Sequence, residues 1–486
     1  MKVFVAIVLC KILYFIGKKL GRGSSLPGQA ALKMHPGVLK KLKLPGTIIA
    51  VTGSNGKTST AELIAHALTS CGKKVGWNHE GANQTEGVAT LLLRIASLGG
   101  TVDRDALVLE CDERYALSIF KEVRPTILVV TNLCRDQLTR NGHHEFIQDC
   151  IRVAIEACDG KTKLILNADD PFVASLAADA AAAIKKPSPS SLDNSEFRIP
   201  NSEFVVTWFG LDSAAATKER NPSSPDNSEF RIPNSEFSIA CGVYDDGAFC
   251  PLCKSRMAYE YRIAGHYGSY SCSACSFSRQ KPEIEVKKPN LQTGEITIIP
   301  NSEFRIPNSI HGVYNMAAAL TAAGAAGVSI EDARHALDGY ELTGGRTVRF
   351  CVSGREGTLL ISKHENSFSY NQSLSLAAGN GEPCTVIVMV DSISRKYYTS
   401  ETSWLWDIDF DILSSEDVRH VVLVGRYMNE LMARFAMSVV DPQKISCIAD
   451  PSALPGHIEK NTTGRIYAIT CFADKAKLMK EFGIRN

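Results

Sequence analysis

The chain has 486 residues, of which 44% are hydrophobic and 22% charged, and a formal net charge of +1. That balance describes an ordinary globular protein of roughly two to four domains, and it gives no general pull toward nucleic acid or an anionic membrane. The 15 cysteines are scattered apart from one cluster, which argues for a reducing compartment rather than a disulfide framework.

The first stretch, Met1 to Gly17, is apolar but interrupted by Lys11, and no small-residue cleavage site precedes Lys18, Lys19 and Arg22. It is too short to span a bilayer and does not read as a signal peptide. It suits a helix that packs on its own protein or lies on a membrane surface, and packing is the preferred expectation. A nucleotide site downstream is incompatible with export, so the expected location is cytoplasmic, with the inner face of the membrane open to it.

Thr47 to Thr52 is a buried parallel strand by composition, followed by the turn Gly53-Ser54-Asn55-Gly56 and a helical pattern from Ala61 to about Leu68. A strand, a glycine turn and a helix N-terminus converge backbone N–H groups and the positive end of the dipole on one point, which suits phosphate. Lys57 reaches terminal phosphates from there, and the Thr58 hydroxyl sits where Mg²⁺ binds. The common phosphate loop has an earlier glycine that is missing here, yet Gly-Lys-Thr directly after a strand makes an ordinary turn the minority reading.

Three further apolar runs, Ala106–Glu110, Thr126–Thr131 and Lys163–Asn167, alternate with helical stretches and predict a doubly wound parallel sheet. Each ends in polar residues: Glu110-Cys-Asp-Glu113, Asn132 with Asp136, and Asp169-Asp170. Such sheets bind ligands at those ends, and Mg²⁺ takes one or two carboxylates plus phosphate oxygens. Any one of these acids alone reads better as a cap or turn residue; their recurrence favours function.

The heptapeptide Asn-Ser-Glu-Phe-Arg-Ile-Pro starts at Asn194, Asn227 and Asn301. Its proline excludes a helical heptad. Repeated GAATTCC read through all three frames encodes it, so the expectation is an expanded DNA repeat tolerated in surface loops, about 190–240 and 298–309, without chemistry of its own. Between copies lie Cys250-Pro-Leu-Cys253 and Cys272-Ser-Ala-Cys275. Two CxxC pairs at this spacing predict a closed, structural Cys₄ zinc ribbon over about 241–282. Neighbouring Lys254, Arg256, Arg262, Tyr259 and Tyr261 also fit an RNA surface. They serve a small module lacking a core equally well, and nucleic acid is not expected as a partner.

Ile310-His-Gly-Val-Tyr-Asn315 opens an alanine-rich helix, Met316 to Ala326, with a second helix from Ile330 to about Leu337. Thr343 to Thr347 reads as a linker, and runs at Cys384–Asp391, His420–Gly425 and Ile466–Thr470 predict a second α/β domain with helices such as Glu430–Ser438. The division expected is 1–45 as an N-terminal segment, 46–342 as a central ATP-binding domain carrying the ribbon, and 343–486 as a C-terminal α/β domain.

Thr52-Gly-Ser-Asn-Gly-Lys-Thr58, Glu110, Thr131-Asn132 with Asp136, Asn167-x-Asp169-Asp170, Tyr314-Asn315 and Gly345-Arg346 together resemble the Mur ligase family. Leu26-Pro27-Gly28, Asn78-His-Glu-Gly-Ala-Asn83, the Cys₄ ribbon and Thr402 to Phe410 resemble its MurT subfamily in particular. The resemblance implies an ATP-dependent carbon–nitrogen ligase of peptidoglycan biosynthesis. Such a synthetase subunit activates the D-glutamate carboxylate of lipid II as an acyl phosphate and admits ammonia from a GatD-like glutaminase partner. It implies that Gly53, Ser54, Asn55, Gly56, Lys57 and Thr58 hold ATP, that Thr58 and Glu110 hold Mg²⁺, that Asn315 contacts adenine and that Arg346 reaches the phosphates. Gln137 stands where most Mur ligases carry a histidine ligand, as in the MurT subfamily.

Two departures stand out. Glu401 occupies the place of the subfamily's aspartate that completes the glutaminase triad, after an altered stretch from Asp391 to Ser400; a solvated loop carboxylate is the competing reading. The motif Lys-Asn-Pro-x-Gly-x-Asn is reduced to something near Lys363-His-Glu-Asn-Ser-Phe-Ser-Tyr-Asn371. A divergent Mur-like amino-acid ligase working without a glutaminase is therefore the alternative function. A non-catalytic binding protein is disfavoured by Gly-Lys-Thr and the strand-end acids.

Overall fold

The structure, a computed structural model, describes residues 2–19, 24–79, 82–136, 141, 143–158, 160–177, 204–211, 246–263, 266–290, 295–298, 302–305, 310–340, 342, 347–379, 381–392 and 402–484. Gln137, Arg346, Glu401 and nearly all of the first two repeat copies lie outside these residues.

A sheet is built on β1 (Thr47–Thr52), β2 (Val75–Trp77), β3 (Ala106–Glu110), β4 (Ile127–Val130), β5 (Lys163–Asn167) and β6 (Val206–Leu211). A separate antiparallel hairpin, β7 (Met257–Ile263) and β8 (Tyr267–Cys272), interrupts the chain before β9 (Ile284–Asn290) returns to the sheet. The order β2-β3-β1-β4-β5-β6-β9 is parallel throughout. β10 (Glu295–Ile298) and β11 (Ser302–Arg305) extend the edge in antiparallel fashion. β11 is the third repeat copy, so this copy is not wholly loop. An open sheet edge offers unpaired N–H and C=O groups that any extended segment can satisfy.

Period-two alternation splits the strands between two cores. Ile49, Val51, Val108, Val129 and Ile165 face one side, against the helices Lys57–Ser70 and Ile310–Ala325. Ile48, Ala50, Leu107, Leu109, Leu128 and Leu164 face the other, against Lys2–Lys19, Thr85–Ile95 and His144–Glu156. Each such side chain, fully buried, contributes about 1.5–3 kcal/mol. From β1 the chain fills one side with β2 and β3, then crosses to β4 and β5. The C-terminal end of β1 is thus the switch point at which such sheets open a ligand crevice.

The last part of the chain forms a six-stranded sheet: β12 (Thr347–Val352), β13 (Arg355–Ser362), β14 (Cys384–Met389), β15 (Val418–Val424), β16 (Ile445–Ile448) and β17 (Arg465–Cys471), in the order β12-β13-β17-β14-β15-β16. Only β12 runs antiparallel to its neighbour. The helix expected over Glu430–Ser438 is Met428–Phe435, ending before the exposed Met437. The alanine-rich helix runs Ile310–Ala325, with the opening stretch Ile310 to Asn315 itself helical, and Ile330–Leu337 stands as expected, capped by the Ser329 hydroxyl. Among the described residues no helix is long and apolar enough to cross a membrane.

Candidate active site

The turn after β1 is shaped by two glycines at positive φ, Gly53 at 127° and Gly56 at 82°. Neither tolerates a side chain: a Cβ on Gly53 would lie 2.3 Å from Thr131 Oγ1, and one on Gly56 would lie 2.1 Å from Asn315 Oδ1. Helix Lys57–Ser70 therefore begins at the phosphate-loop lysine, four residues ahead of the expected Ala61, so Lys57 and Thr58 sit on its first turn. The apolar period that marks a helix starts only at Ala61, which is why the sequence hid this turn.

The loop is clamped from β4. Ser54 N donates to Asn132 O at 2.8 Å and Asn55 N to Asn132 Oδ1 at 2.8 Å. Thr131 Oγ1 and Asn132 Nδ2 both donate to Asn55 O, at 2.7 and 3.0 Å. The buried Asn55 Oδ1 and Thr52 Oγ1 have no hydrogen-bond partner, and Thr58 faces open solvent. A glycine cradle, orphaned polar atoms and an accessible hydroxyl on a helix's first turn fit a nucleotide phosphate with its cation.

Lys57 is folded back into the loop. Its Nζ donates to Gly53 O at 2.5 Å and to Glu113 Oε1 at 2.6 Å, both side chains being buried. Burial opposes the ammonium, but Glu113, Asp136 and Asp112 outweigh it and hold Lys57 above the ordinary lysine value. Lys57 therefore stays charged, with Glu113 as its counter-ion.

The strand-end acids divide by role. Glu110 is buried, with Oε1 accepting only from Asn83 Nδ2 at 3.0 Å, and Asn78 fixes its backbone from both sides. Asp169 and Asp170, expected in the same class, are spent on structure. Asp170 accepts from Phe172 N, Val173 N, Leu133 N and His266 Nε2 at 2.7–3.1 Å. Asp169 accepts from Arg279 Nε at 2.6 Å, Leu211 N at 2.7 Å and the Tyr314 hydroxyl at 2.8 Å. Burial pushes the Asp169 carboxyl up, with Arg279 opposing it.

Two of those partners, His266 and Arg279, come from the thiol-bearing hairpin. Cys250, Cys253, Cys272 and Cys275 bring four sulfurs within 4.8 Å of one another, with Cys250–Cys275 at 3.7 Å and Cys253–Cys272 at 3.4 Å. A tetrahedron of thiolates about 2.3 Å from zinc has edges of about 3.8 Å, so the set fits a closed site. Lys254 at φ 64° makes the sharp return after the first CxxC, donating its N–H to Cys250 O. Backbone N–H donation lowers the Cys253 thiol to about 6, while burial raises Cys250 to about 12. Beyond the thiols, the hairpin holds the sheet. Tyr270 donates its hydroxyl to Ala168 O at 3.1 Å and Gly268 its N–H to Asp169 O at 2.9 Å. The spacing of the cysteines predicts the hairpin but carries no trace of this docking.

The six-stranded sheet reaches the same loop. Lys363 Nζ donates to Ser54 O at 2.9 Å and pairs with Asp136 Oδ2. Asn366 caps helix Ser367–Ala378 with its Oδ1 while its Nδ2 donates to Asp136 Oδ1 at 3.0 Å. Arg135 ties three segments, bonding Asp246 at 2.9 and 3.0 Å and Asp407 at 3.0 Å. The structure thus gathers Gly53 to Thr58, Glu110, Asn315 and Lys363 at one end of β1. Of these, Lys363 was visible in sequence only as the lysine of an altered motif.

With this geometry in hand, the comparisons are specific. The Mur ligase middle domain family model matches residues 51–210, and the MurT ligase C-terminal family model matches residues 364–473. The lipid II isoglutaminyl synthase (glutamine-hydrolyzing) subunit MurT of Staphylococcus aureus (strain N315) is 26% identical over 447 residues, 91% of this chain and 89% of that protein. Its namesake from Streptococcus pneumoniae (strain ATCC BAA-255 / R6) is 26% identical over 467 residues, 94% and 92% of the two chains. Among solved structures, a pseudomurein peptide ligase type C from Methanothermus fervidus superposes with TM-score 0.63 at 19% identity, over 92% of this chain and 81% of that one. MurF from Acinetobacter baumannii gives 0.60 at 16%, over 94% and 81%. At those identities the two structures speak for the fold alone.

Proposed function

The chain belongs to the Mur ligase family and, through residues 364–473, to its MurT branch; from that premise we propose that it is the synthetase subunit that amidates the D-glutamate carboxylate of lipid II. The observation that carries the reading is one chain joining a glycine-cradled, lysine-bearing phosphate loop to a MurT-type C-terminal part, with its relatives covered nearly end to end.

When bound, ATP with Mg²⁺ supplies the phosphoryl group that activates the carboxylate. Gly53, Ser54, Asn55 and Gly56 form the cradle around the phosphates, its shape held by the Ser54 and Asn55 N–H groups on Asn132; Lys57 and Lys363 supply fixed positive charge, and Thr58 with Glu110 holds the cation. Preorganised charge of this kind is where phosphoryl-transfer sites gain most of their rate. Asn315, against Gly56, takes the base side of the nucleotide, and Arg346 the phosphates from the hinge. The four cysteines hold a structural Zn²⁺. Ammonia comes from a glutaminase partner, with Glu401 orienting its histidine, and the complex works at the cytoplasmic face of the membrane.

A second reading, an amino-acid ligase without a glutaminase, is favoured by Glu401 in place of aspartate and by the altered motif at 363–371. The test is glutamine-dependent amidation of lipid II by this chain co-expressed with a glutaminase subunit. Amidation lost in Lys57→Ala supports the proposal. ATP turnover that needs a free amino acid, and is indifferent to the glutaminase, establishes the second reading instead. Full amidation by Glu401→Ala would remove that residue from the triad.

A further inference from the structure

The helix Lys2–Lys19 is apolar around almost its whole circumference, yet only one side of it is covered. Ala6, Ile7, Cys10 and Gly17 are buried against the helices Leu26–Met34 and Thr85–Ile95. Lys11 Nζ fastens that side by donating to Arg94 O at 2.7 Å, and the Arg94 guanidinium lies over the Tyr14 ring at 4.6 Å. The opposite side carries Phe4, Val8, Ile12 and Phe15 at i, i+4, i+8 and i+11, one continuous stripe on a helix. Phe4, Ile12 and Phe15 are 48%, 53% and 66% exposed, and the adjoining Val5 and Ile16 are 44% and 49% exposed. A helix that is apolar on both sides normally has both sides covered.

Charge identifies the cover. Residues 1–45 contain nine Lys or Arg and no Asp or Glu, in a chain whose net charge is only +1. Lys2, Lys18, Lys19, Lys33, Lys41 and Lys43 are all exposed, and Lys19 reaches along the stripe to lie over the Phe15 ring at 5.0 Å. A second copy of the chain is a poor occupant, because a two-fold contact sets each patch against itself and brings like charges together. An apolar stripe flanked by lysines, on a segment that itself carries no Asp or Glu, matches the boundary of a bilayer with anionic headgroups.

We propose that the outer face of the helix Lys2–Lys19 docks the protein on an anionic membrane surface, with Phe4, Ile12, Phe15 and Ile16 entering the headgroup boundary and the lysines meeting lipid phosphates. The helix lies in the membrane plane and does not cross it. Its inner face lines a cleft with Trp77, Asn78 and Arg94, and Asn78 is the residue that fixes the Glu110 backbone. Docking here therefore sets one mouth of the active-site end of the sheet beside the lipid.

The experiment is flotation of the full chain with vesicles of phosphatidylcholine alone or mixed with phosphatidylglycerol, containing no amidation substrate, so the outcome is independent of the catalytic proposal. The chain is expected to float with the anionic vesicles and to be released by salt. Ile12→Glu/Phe15→Glu should remain in the soluble fraction, and Lys18→Gln/Lys19→Gln should bind roughly tenfold more weakly. Met437→Glu, on an exposed residue of the other sheet's unit, should float like the parent. ATP turnover and helicity are measured on each variant to show that the fold is retained. No flotation of the parent, equal flotation of Ile12→Glu/Phe15→Glu, or a solution dimer that this double substitution dissolves would overturn the proposal.

Discussion

At the scale of single residues, the most consequential contact is Lys57 on Glu113. Removing one partner of a buried ion pair strands the other charge and costs about 3–5 kcal/mol. Lys57→Ala should therefore lower both the melting temperature and ATP turnover, the latter roughly 100-fold or more in kcat. Lys57→Ala/Glu113→Gln should recover most of the stability and none of the turnover, which calorimetry and a phosphate-release assay separate. A second residue governs acid stability. His144 is buried on the Phe172 ring at 4.1 Å, and burial, with His143, His266, Arg135 and Lys254 nearby, lowers its pKa to about 2. Asp246, 3.9 Å away, does not reverse this. The unfolded chain takes up a proton near pH 6.5 that the folded chain refuses. The His144 contribution is thus complete above that pH and is lost as pH falls, by up to about 1.4 kcal/mol per pH unit. His144→Phe, which keeps the ring contact, should flatten denaturation midpoints between about pH 6.5 and 4.5 relative to the parent.

At the scale of elements, the Cys₄ hairpin braces the ends of β5 and β6, besides gathering four thiols that could hold a metal. Arg279, Gly268, Tyr270 and His266 all fasten Ala168, Asp169 or Asp170, and Asp169 in turn holds Tyr314, next to Asn315. Stripping metal from the thiols with a chelator should thus raise the ATP KM before it unfolds the sheet. Arg279→Gln should do the same with the metal in place, at a cost of about 3 kcal/mol for the stranded Asp169 carboxyl. Unchanged KM in both cases would reduce the hairpin to an appendage. How much of this could be read from sequence follows from the range of the interactions. β1, β3, β4 and β5 were legible because burial on both faces writes an unbroken apolar run, and the four cysteines because zinc dictates ligand spacing. The commitment of Asp169 and Asp170 to structure was not legible. Their partners Arg279 and His266 stand 110 and 96 residues away, and nothing local distinguishes a strand-end acid that binds metal from one that binds an arginine. β11 was hidden for a different reason, since a repeat read as inert loop can still pair wherever an edge is left open.

At the scale of the whole molecule, the two sheets meet over the phosphate loop through charged contacts, with Phe368 packed on Tyr267 beside them. Lys363 and Asn366 from the six-stranded unit converge on Asp136, at the end of β4, and Lys363 also bonds Ser54 O within the loop itself. Arg135, one residue earlier, holds Asp407 from the same unit and Asp246 at the base of the hairpin. On the proposed function, a lysine delivered across the junction would reach the phosphates only with the two units closed, so closure and catalysis would share one residue. Removing its charge should leave nucleotide binding, which the glycine loop and Lys57 supply from one side, largely intact. It should lower kcat by roughly 100-fold, the scale of losing one preorganised charge in a transition state. Lys363→Met, which keeps the apolar stem, is the variant to measure, with Asp136→Asn beside it. Asp136→Asn loosens the clasp but leaves the lysine, so its kcat should fall less and its small-angle scattering should show the more open form. If Lys363→Met instead raises the ATP KM with kcat unchanged, the lysine serves ground-state binding and the junction is a hinge without a catalytic part. The two outcomes separate because Lys57, the other lysine described at the loop, belongs to the first sheet's unit.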